Sequence, residues 1–544
     1  EGLQGRDLAE PGSIAACAKH FAGYGAVESG RDYATTNIPE NELRNVYLPP
    51  FKASVQAGVA TLMTSFSDID GVPGTANAFL LRQILREEWG FQGMVVSDWD
   101  SVRQLQVHGL TENDRESAFQ AILAGVDVEM AGDAYANHLT GLVQAGRITI
   151  ETIDAAVGNV LRVKFRLGLF DRVGSGTEIV VEAGQALAAA EQMATQSVVL
   201  LKNDHSVLPL MPEKLNSVAI IGPMADAPYE QLGTWIFDGD VASSVTPLQA
   251  IGALVGDAVD VRYLRAMENS RSQETEAFDK AAQTARSCDV AILFLGEESI
   301  LSGEAHSRAS IDLPGDQVQL VHKIRATGTP VVAVIMAGRP LTLTNIVDHV
   351  DALMAAWHPG AMAGPALAKL LFGQQSPSGK LPVSFPRMVG QIPIYYSQKN
   401  SGKPPSPDTV VHIDDIGTFA PQTSIGMTAF HLDAGYPPLF AFGHGLSYAD
   451  FEYRHIRVSA STIGIGDVLT ISAELTNTSD TAADEVVQLY VRDLAGSVTR
   501  PVRQLAGFRR LRVGAGETVT VDFRLHTDDL GFYGRDRSWA TEPG

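Results

Sequence analysis

Cysteine is almost absent from this sequence, which has two among 544 residues, Cys17 and Cys288. Two cysteines provide neither a disulfide framework nor a cysteine-based metal site. Each lies in or just before an apolar run typical of a strand, so we expect both to be core residues rather than reactive thiols. This scarcity does not exclude export, because large secreted enzymes often lack disulfides.

The sequence also lacks a basic excess and a long apolar run. It has 41 Lys and Arg residues against 63 Asp and Glu, which gives a formal net charge of −22. Phosphate binding needs a basic stripe, so we expect no nucleic-acid partner. No apolar run reaches membrane-spanning length, and we expect no membrane partner. Because no set of His, Asp and Glu has a recognised ligand spacing, we predict no metal and no cofactor.

The chain starts at Glu1, with no initiating Met and no signal peptide. We expect that an N-terminal piece was removed or that the chain is part of a longer protein. A periplasmic or secreted location is predicted. The length of 544 residues and the hydrophobic content of 45% predict two to four domains with large cores.

Residues 1–170 alternate short apolar runs with helical patterns, which indicates parallel βαβ units. The predicted strands are 14–19, 59–64, 94–97 and 126–130, and the predicted helices are 40–57, 77–89, 115–124, 135–145 and 150–167. A closed (β/α)8-type barrel needs eight strands, so these four predict an incomplete barrel. The stretch 171–180 that follows is predicted to be a linker.

Residues 181–390 form a second predicted α/β region with a doubly wound sheet. Its predicted strands are 197–201, 218–221, 290–295, 331–336 and 352–356, and its predicted helices are 182–196 and 315–326. Residues 391–450 contain a stretch rich in Pro, Ser, Asp and Tyr and are predicted to be a long functional loop. In residues 451–544, apolar and polar residues alternate, which predicts a small antiparallel β-sandwich. The alternating runs are 468–475, 485–492 and 517–525.

Asp98 and Trp99 follow a short apolar run that predicts a buried strand. In an α/β barrel, the end of such a strand carries the chemistry. A carboxylate beside an aromatic ring suits sugar chemistry, because one can attack an anomeric carbon and the other can stack on a pyranose ring. The alternative is a helix N-cap, since Ser and Asp are common there. Taken alone, the six residues from Met94 to Trp99 favour neither interpretation over the other.

Lys19 and His20 end the first predicted strand and run into a loop that contains Gly23 and Gly25. A cation and an imidazole at a strand end can bind vicinal sugar hydroxyls, and glycine lets a ligand approach the backbone closely. A surface lysine and an ordinary histidine are the commoner explanation of such a pair.

Met63 and Phe66 follow the second predicted strand and could form one wall of a pocket. Core packing is the more usual role of both residue types at such a place. Glu304 is the second acidic candidate, in a loop after the strand 290–295. Glu297 and Glu298 compete with it, and each of the three could be a solvated loop acid. The Gly before Glu304 and the His, Ser and Arg after it favour Glu304, because they offer flexibility and hydrogen-bond partners.

Four motifs taken together resemble glycoside hydrolase family 3, in its branch of three-domain β-glucosidases. They are Lys19-His20-Phe21-Ala22-Gly23-Tyr24-Gly25, Val96-Ser97-Asp98-Trp99, Gly303-Glu304-Ala305-His306-Ser307-Arg308 and Phe442-Gly443-His444-Gly445-Leu446-Ser447-Tyr448. The likeness covers essentially the whole chain, in the order of the family. It implies a barrel, an α/β sandwich and a fibronectin-III-like domain. Residues 1–170 resemble the C-terminal half of that barrel.

The resemblance also implies roles for residues. Asp98 would be the nucleophile and Glu304 the general acid/base of a retaining enzyme, whose two carboxyl groups lie about 5–5.5 Å apart. Five further residues would bind substrate: Lys19 and His20 at hydroxyls of the −1 sugar, Met63 along that subsite, and Trp99 and Trp235 beside the neighbouring sugar.

The chain departs from the family pattern in two ways. Phe66 stands where the family has Tyr, so a hydroxyl near the nucleophile is absent. The family's barrel begins well before the Lys-His motif, and that earlier part supplies an Asp and an Arg that grip the non-reducing-end sugar. We therefore expect a missing N-terminal barrel segment, or a second copy of the chain, to complete the barrel.

The expected function is an exo-acting retaining β-glucosidase that acts on β-linked oligosaccharides or on aryl and alkyl β-glucosides. A β-xylosidase is the alternative within the family, because a pocket for the C6 hydroxyl cannot be read from these residues. The complete sandwich and Glu304 argue against a β-N-acetylglucosaminidase or a phosphorylase. If the barrel is incomplete, the alternative outside the enzymes is a non-catalytic sugar-binding or assembly protein.

Overall fold

A computed structural model describes residues 1–171 and 182–543. Its first sheet has four parallel strands in chain order, as the alternation in residues 1–170 predicts. The strands are β1 (Cys17–Phe21), β2 (Thr61–Thr64), β3 (Met94–Trp99) and β4 (Val128–Met130). The helices of this region are Pro49–Gln56, Phe79–Glu88, Asp114–Ala124, Ala134–Gln144 and Ile150–Arg166, with short helical turns at Glu40–Glu42 and Leu43–Tyr47.

The helix Phe79–Glu88 shows how the apolar pattern builds this layer. Its apolar side chains recur at helical spacing, and four of them are buried with the strand residues Leu62 and Val95. The helix Asp114–Ala124 has clear end signals. Asn113 accepts a hydrogen bond from the backbone of Glu116 at 3.1 Å, and Gly125 ends the helix at φ 111°.

Two expectations for the first strand are wrong. The strand begins at Cys17 rather than at residue 14, and Ile14 is 63% exposed. Cys17 is exposed rather than in the core, whereas Cys288 is half-buried and packs against a hydrophobic cluster of the second α/β region. The reason is that β1 is an edge strand of the described sheet, so the alternation of side chains leaves its outward positions uncovered.

The second sheet has six strands: β5 (Val199–Asn203), β6 (Ser217–Ile221), β7 (Asp260–Leu264), β8 (Val290–Gly296), β9 (Val331–Met336) and β10 (Ala352–Ala355). Their order in the sheet is β5–β10–β9–β8–β6–β7. Only β5 runs antiparallel, against β10. The central strands β8 and β9 are buried along their whole length, between two hydrophobic clusters. A sheet covered on both faces explains their continuous apolar runs.

Helices flank this sheet. Those of the described region are Ala183–Ser197, Pro247–Val255, Phe278–Arg286, Gln317–Arg325, Thr344–Val347 and Ala363–Leu371. The sequence patterns predict the first and the fourth of them, together with five of the six strands. The edge strand β7 and the other four helices were not predicted. The predicted linker 171–180 lies outside the described residues, apart from Asp171.

The last domain consists of antiparallel strands in two sheets, as the period-two pattern predicts. One sheet contains β11 (Phe451–Val458), β12 (Val468–Asn477) and β15 (Thr518–His526), and the other contains β13 (Ala483–Val491) and β14 (Gln504–Val513). A small core holds them together, formed by Leu475, Val487, Val513 and Val521. Residues 391–450 have two short helical turns, Pro407–Thr409 and Ile413–Asp415, and no strand longer than an isolated bridge.

The described residues divide into two compact units. Residues up to 171, together with Phe532–Trp539, form the first, and residues from 182 onwards form the second, apart from that C-terminal segment. Within the first unit, the ring of Tyr533 lies 5.2 Å from the guanidinium of Arg44. Across residues 1–171 and 182–543, no helix combines the length and apolar composition that crossing a bilayer requires.

Candidate active site

Asp98 and Trp99 are the last two residues of β3. The strand therefore brings them to the carboxyl end of the parallel sheet, where α/β barrels place their chemistry. Asp98 is 5% exposed, whereas Trp99 is 67% exposed. The N-cap interpretation is wrong, because the next helical turn starts at Arg103 and is preceded by Val102.

Each carboxylate oxygen of Asp98 has a close polar neighbour. Oδ1 accepts a hydrogen bond from the backbone N–H of Trp99 at 2.7 Å, and Oδ2 lies 3.3 Å from Nε2 of His20. The N–H of Trp99 stabilises the ionised form of the carboxylate, and His20 does so when its imidazole is protonated. This arrangement can present an oriented carboxylate to an electrophilic carbon.

Three buried hydroxyls form a row that begins and ends on the backbone of Asp98. The N–H of Asp98 donates to Oγ1 of Thr64 at 3.3 Å, and this oxygen lies 2.9 Å from Oγ1 of Thr75. Thr75 in turn lies 2.8 Å from Oγ of Ser101, whose N–H donates to the carbonyl of Asp98 at 3.1 Å. Sequence reasoning missed this row. The one signal available for it was Thr64 at the end of the neighbouring strand.

His20 and Lys19 lie in β1, as their place before the glycine-bearing loop predicts. His20 is half-buried, and its ring centroid is 5.2 Å from that of Tyr24. The structure brings His20 to Asp98, whereas Lys19 occupies an exposed position on the same strand. An imidazole and an ammonium at this strand can donate hydrogen bonds to sugar hydroxyls.

Met63 is buried in β2 and pairs in register with Val96, two residues before Asp98. The thioether is therefore in the strand beside the predicted nucleophile. Phe66 follows β2, and its ring packs edge-on against Tyr33 at 5.2 Å. The position that distinguishes this chain from the family pattern is thus part of an aromatic pair.

Glu129 is another carboxylate at this end of the sheet, in β4. It accepts hydrogen bonds from the backbone N–H groups of Ala134 and Tyr135, at 3.2 and 2.7 Å. These groups begin the helix Ala134–Gln144. Burial raises the pKa of Glu129, while the two N–H groups oppose that rise. The contacts account for Glu129 as a helix cap rather than a reacting group.

Glu304 lies in the second unit, in the loop that follows β8, and is half-buried. Gly303 before it has φ 102° and Ala305 after it has φ 63°, so the loop turns sharply at the carboxylate. A Cβ on Gly303 would come within 3.0 Å of Thr234, so glycine allows this close approach. Thr234 directly precedes Trp235. The loop of Glu304 therefore lies against the loop that contains Trp235, the predicted substrate-binding aromatic residue.

Trp235 is 61% exposed, and its ring lies 5.3 Å from that of Phe237. Phe237 is 83% exposed. Exposed aromatic rings of this kind offer faces on which a sugar or an aryl group can stack. Phe237 was not among the candidates from the sequence, although it is two residues from Trp235.

The two carboxylates that compete with Glu304 both have structural partners. The carboxylate of Glu297 is fully buried and paired with Arg308 and Arg339. Glu298 accepts hydrogen bonds from Arg271 at 2.9 and 3.2 Å and from Ser270 at 2.8 Å. Burial alone would raise the pKa of Glu298, but these donors lower it overall. Glu304 stays the predicted acid/base on the strength of the sequence motif Gly303–Arg308 that contains it.

Comparison with known proteins identifies the class that these domains and motifs define. Residues 1–163 match the Glycosyl hydrolase family 3 N terminal domain, and residues 198–448 match the Glycosyl hydrolase family 3 C-terminal domain. Residues 485–544 match the Fibronectin type III-like domain. The chain belongs to glycoside hydrolase family 3 and is a hydrolase, which confirms the family and the three-domain fold implied by the motifs.

Individual relatives align along the entire chain. A periplasmic beta-glucosidase of Salmonella typhimurium is 35% identical, with 100% of this chain and 72% of the relative covered. A beta-xylosidase of Formosa agariphila is also 35% identical, with 100% and 75% covered. The crystal structure of a beta-glucosidase from Listeria innocua in complex with isofagomine has a TM-score of 0.92 at 34% identity, with 100% of this chain and 74% of that chain covered. A mutant of the Listeria enzyme in complex with laminaribiose has a TM-score of 0.91 at 34% identity, with 100% and 73% covered.

Proposed function

We propose that this hydrolase is an exo-acting retaining β-glucosidase that releases glucose from the non-reducing end of short β-glucosides. The observation that carries the proposal is the carboxylate of Asp98 at the carboxyl end of β3. One oxygen accepts a hydrogen bond from the N–H of Trp99 at 2.7 Å, and the other lies 3.3 Å from Nε2 of His20. A retaining glycosidase needs such a carboxylate, ionised and oriented before the sugar arrives. The relatives named as β-glucosidases support glucose as the sugar.

The proposed reaction has two displacements. Asp98 attacks the anomeric carbon while the carboxylic acid of Glu304 protonates the leaving oxygen, so the glycosidic bond breaks as a glycosyl ester forms. Glu304, now a carboxylate, then takes a proton from water, which attacks the same carbon and releases Asp98. The protons balance, and the reaction uses no co-reactant besides water.

Five residues are proposed to bind substrate in this scheme. Lys19 and His20 hold hydroxyls of the −1 sugar, and Met63 contributes apolar surface to that subsite. The exposed rings of Trp99 and Trp235 flank the next sugar, because aromatic faces stack on pyranose rings.

Covalent trapping tests this function directly. A 2-deoxy-2-fluoro-β-glucoside with an activated leaving group forms the glycosyl ester but hydrolyses it slowly, because the fluorine destabilises the oxocarbenium-like transition state. We expect mass spectrometry of the digested protein to place the sugar on the peptide that contains Asp98. A label on another peptide, or no label in an active sample, would contradict the assignment.

A β-xylosidase is the second candidate, favoured by the relative of that name at 35% identity. The ratio of kcat/KM for 4-nitrophenyl β-glucoside to that for the β-xyloside separates the two, because these substrates differ only in the C6 hydroxymethyl group. A ratio above one supports the glucosidase, and a ratio below one supports the xylosidase.

The completion of the barrel is part of the proposal. In the described residues, β1 and β4 form the edges of the four-stranded sheet, and an open parallel sheet exposes unpaired backbone groups. We also propose that the protein acts in the periplasm or outside the cell. For the barrel, we propose that an N-terminal segment, or a second copy of the chain, pairs with these edges. Light scattering of the 544-residue chain, combined with an assay on an aryl β-glucoside, tests this. A stable and fully active monomer of these 544 residues would contradict it, whereas a stable but inactive chain that binds glucosides favours a non-catalytic binding protein.

A further inference from the structure

A cluster of charged groups at the carboxyl end of the second sheet has no part in the two displacements. Glu297 is the first residue after β8, and its side chain is 0% exposed. Burying an unpaired carboxylate is very costly, so such a group needs partners. Glu297 has two, because Oε1 pairs with Nη1 of Arg308 and Oε2 pairs with Nε of Arg339 at 3.0 Å.

The two arginines use their remaining N–H groups on the loop that contains Glu304. Nη2 of Arg339 donates to the carbonyls of Leu301 and, at 2.9 Å, His306. Nη2 of Arg308 donates to the carbonyl of Asp312 at 3.0 Å. Leu301 precedes Glu304, whereas His306 and Asp312 follow it. Arg339 lies outside this loop and therefore holds its backbone on both sides of the predicted acid/base. Arg308 belongs to the loop and ties the part after Glu304 to Glu297.

The backbone of Glu297 is itself tied to the sheet. Its N–H donates to the carbonyl of Met336, the last residue of β9, at 2.8 Å. Its carbonyl lies 3.2 Å from Nε2 of His358, which follows β10. Because β8, β9 and β10 are buried central strands, the position of Glu297 is fixed. It can therefore anchor the more exposed loop.

We propose that Glu297 is the positioning residue of this loop: through Arg308 and Arg339 it holds residues 301–312 in the conformation in which Glu304 can transfer a proton. This inference rests on the proposed role of Glu304. Glu297 itself does not touch the substrate. A rigid guanidinium fork suits this role, because one arginine can serve a carboxylate and carbonyls together. Proton transfer depends steeply on such placement.

The Glu297→Gln variant tests the proposal through the leaving group. Gln keeps the shape of the side chain but cannot balance two guanidinium charges. We compare kcat/KM for laminaribiose, whose leaving sugar needs a proton, with kcat/KM for 2,4-dinitrophenyl β-glucoside, whose leaving group does not. We expect a loss of about 10- to 100-fold for the disaccharide, the usual scale for a misplaced catalytic group, and little loss for the aryl glucoside.

A double-mutant cycle separates positioning from a general effect on the fold. If Glu297 acts through Glu304, then Glu297→Gln costs nothing further for laminaribiose in a Glu304→Ala background. Full additivity of the two losses would overturn the proposal. The matched control is Glu298→Gln, the same change at the next residue, whose partner Arg271 is 54% exposed at its side chain. This control should leave the ratio of the two kcat/KM values unchanged.

Arg339→Lys covers the case in which Glu297→Gln fails to fold. Lysine keeps the charge, but its single ammonium group cannot bond Glu297 and two carbonyls at once. We expect the same selective loss for laminaribiose, and an unchanged ratio for this variant would overturn the proposal.

If Glu304→Ala kept its disaccharide activity and azide rescued Glu297→Gln, Glu297 would be the acid/base, and both the assignment of Glu304 and the positioning role would be wrong. If Glu304→Ala behaves as an acid/base variant while Glu297→Gln keeps the wild-type ratio, only the positioning role is wrong.

Discussion

The backbone N–H of Asp98 donates a hydrogen bond to the hydroxyl of Thr64 at 3.3 Å, which joins the end of β3 to the end of β2. The predicted nucleophile is therefore held through its backbone as well as through its carboxylate. A catalytic group on a strand, with hydrogen bonds that fix the residue on both sides, is already oriented before substrate binds.

Asp98→Asn should abolish turnover while the fold and sugar binding stay intact. Asparagine has nearly the same shape but cannot form the glycosyl ester, so kcat should fall on the order of 10⁴-fold or more. Steady-state kinetics with an aryl β-glucoside measure this. The control is Asp100→Asn, two residues on, where the backbone has φ 55° and asparagine is well tolerated. Near-wild-type kcat in Asp98→Asn, with contaminating enzyme excluded, would contradict the assignment.

Glu304→Ala should affect poor leaving groups far more than activated ones. Loss of a general acid costs about 10²- to 10⁴-fold for laminaribiose, whereas kcat/KM for an activated aryl glucoside should change little. Azide should restore turnover of the aryl glucoside and give a β-glycosyl azide, because a small anion needs no general base. Equal losses for both substrates, without rescue, would assign the acid/base to another residue.

Thr75→Val should destabilise the first unit. Valine matches the shape of threonine but leaves the buried hydroxyls of Thr64 and Ser101 without their common partner, which lies 2.9 and 2.8 Å away. An unsatisfied buried polar group costs about 1–3 kcal/mol of unfolding free energy. Urea denaturation measures the change. Thr75→Ser retains the hydroxyl and should cost less, so equal losses in the two variants would mean that packing, not hydrogen bonding, is responsible.

Glu88→Gln should reduce the loss of stability in acid. The buried guanidinium of Arg44 donates hydrogen bonds to Glu88 at 2.8 and 2.9 Å, and these hold the pKa of Glu88 below its ordinary value of 4.5. A carboxyl with a lower pKa in the folded state stabilises the fold above its unfolded pKa, and this stabilisation is lost as the pH falls through the folded value. The wild type should therefore be more stable than Glu88→Gln at neutral pH.

That stability difference should shrink as the pH falls below about 4.5, where Glu88 takes up a proton. Calorimetric Tm values from pH 7 to pH 3 give the comparison. Glu87→Gln is the matched control, because Glu87 is also exposed on the same helix but accepts none of the hydrogen bonds from Arg44. A difference between Glu88→Gln and wild type that stays constant across this range would contradict the role assigned to the ion pair.

Local patterns in the sequence predicted the buried strands well. The runs 290–295 and 331–336 agree with β8 and β9 to within one residue, because strands covered on both faces need continuous apolar side chains. The edge strand β7, the largely exposed β11 and the partly exposed β14 were missed. Their side chains face solvent on one side or both, so the sequences carry no continuous apolar or clearly alternating signal.

The sequence by itself determined the domain types, the family and the order of the motifs, since apolar periodicity and short motifs are local properties of the chain. Only the tertiary structure decided which partners the acidic residues have. Glu297, Glu298 and Glu304 are the same residue type and lie within eight positions of the sequence. Of the three, it is Glu297 whose side chain is fully buried and paired with Arg308 and Arg339. Arg339 is 42 residues away from it along the chain. Such pairing arises when β8 and β9 come together, and the same holds for His20 and Asp98, because burial and charge balance depend on neighbours that are distant in sequence.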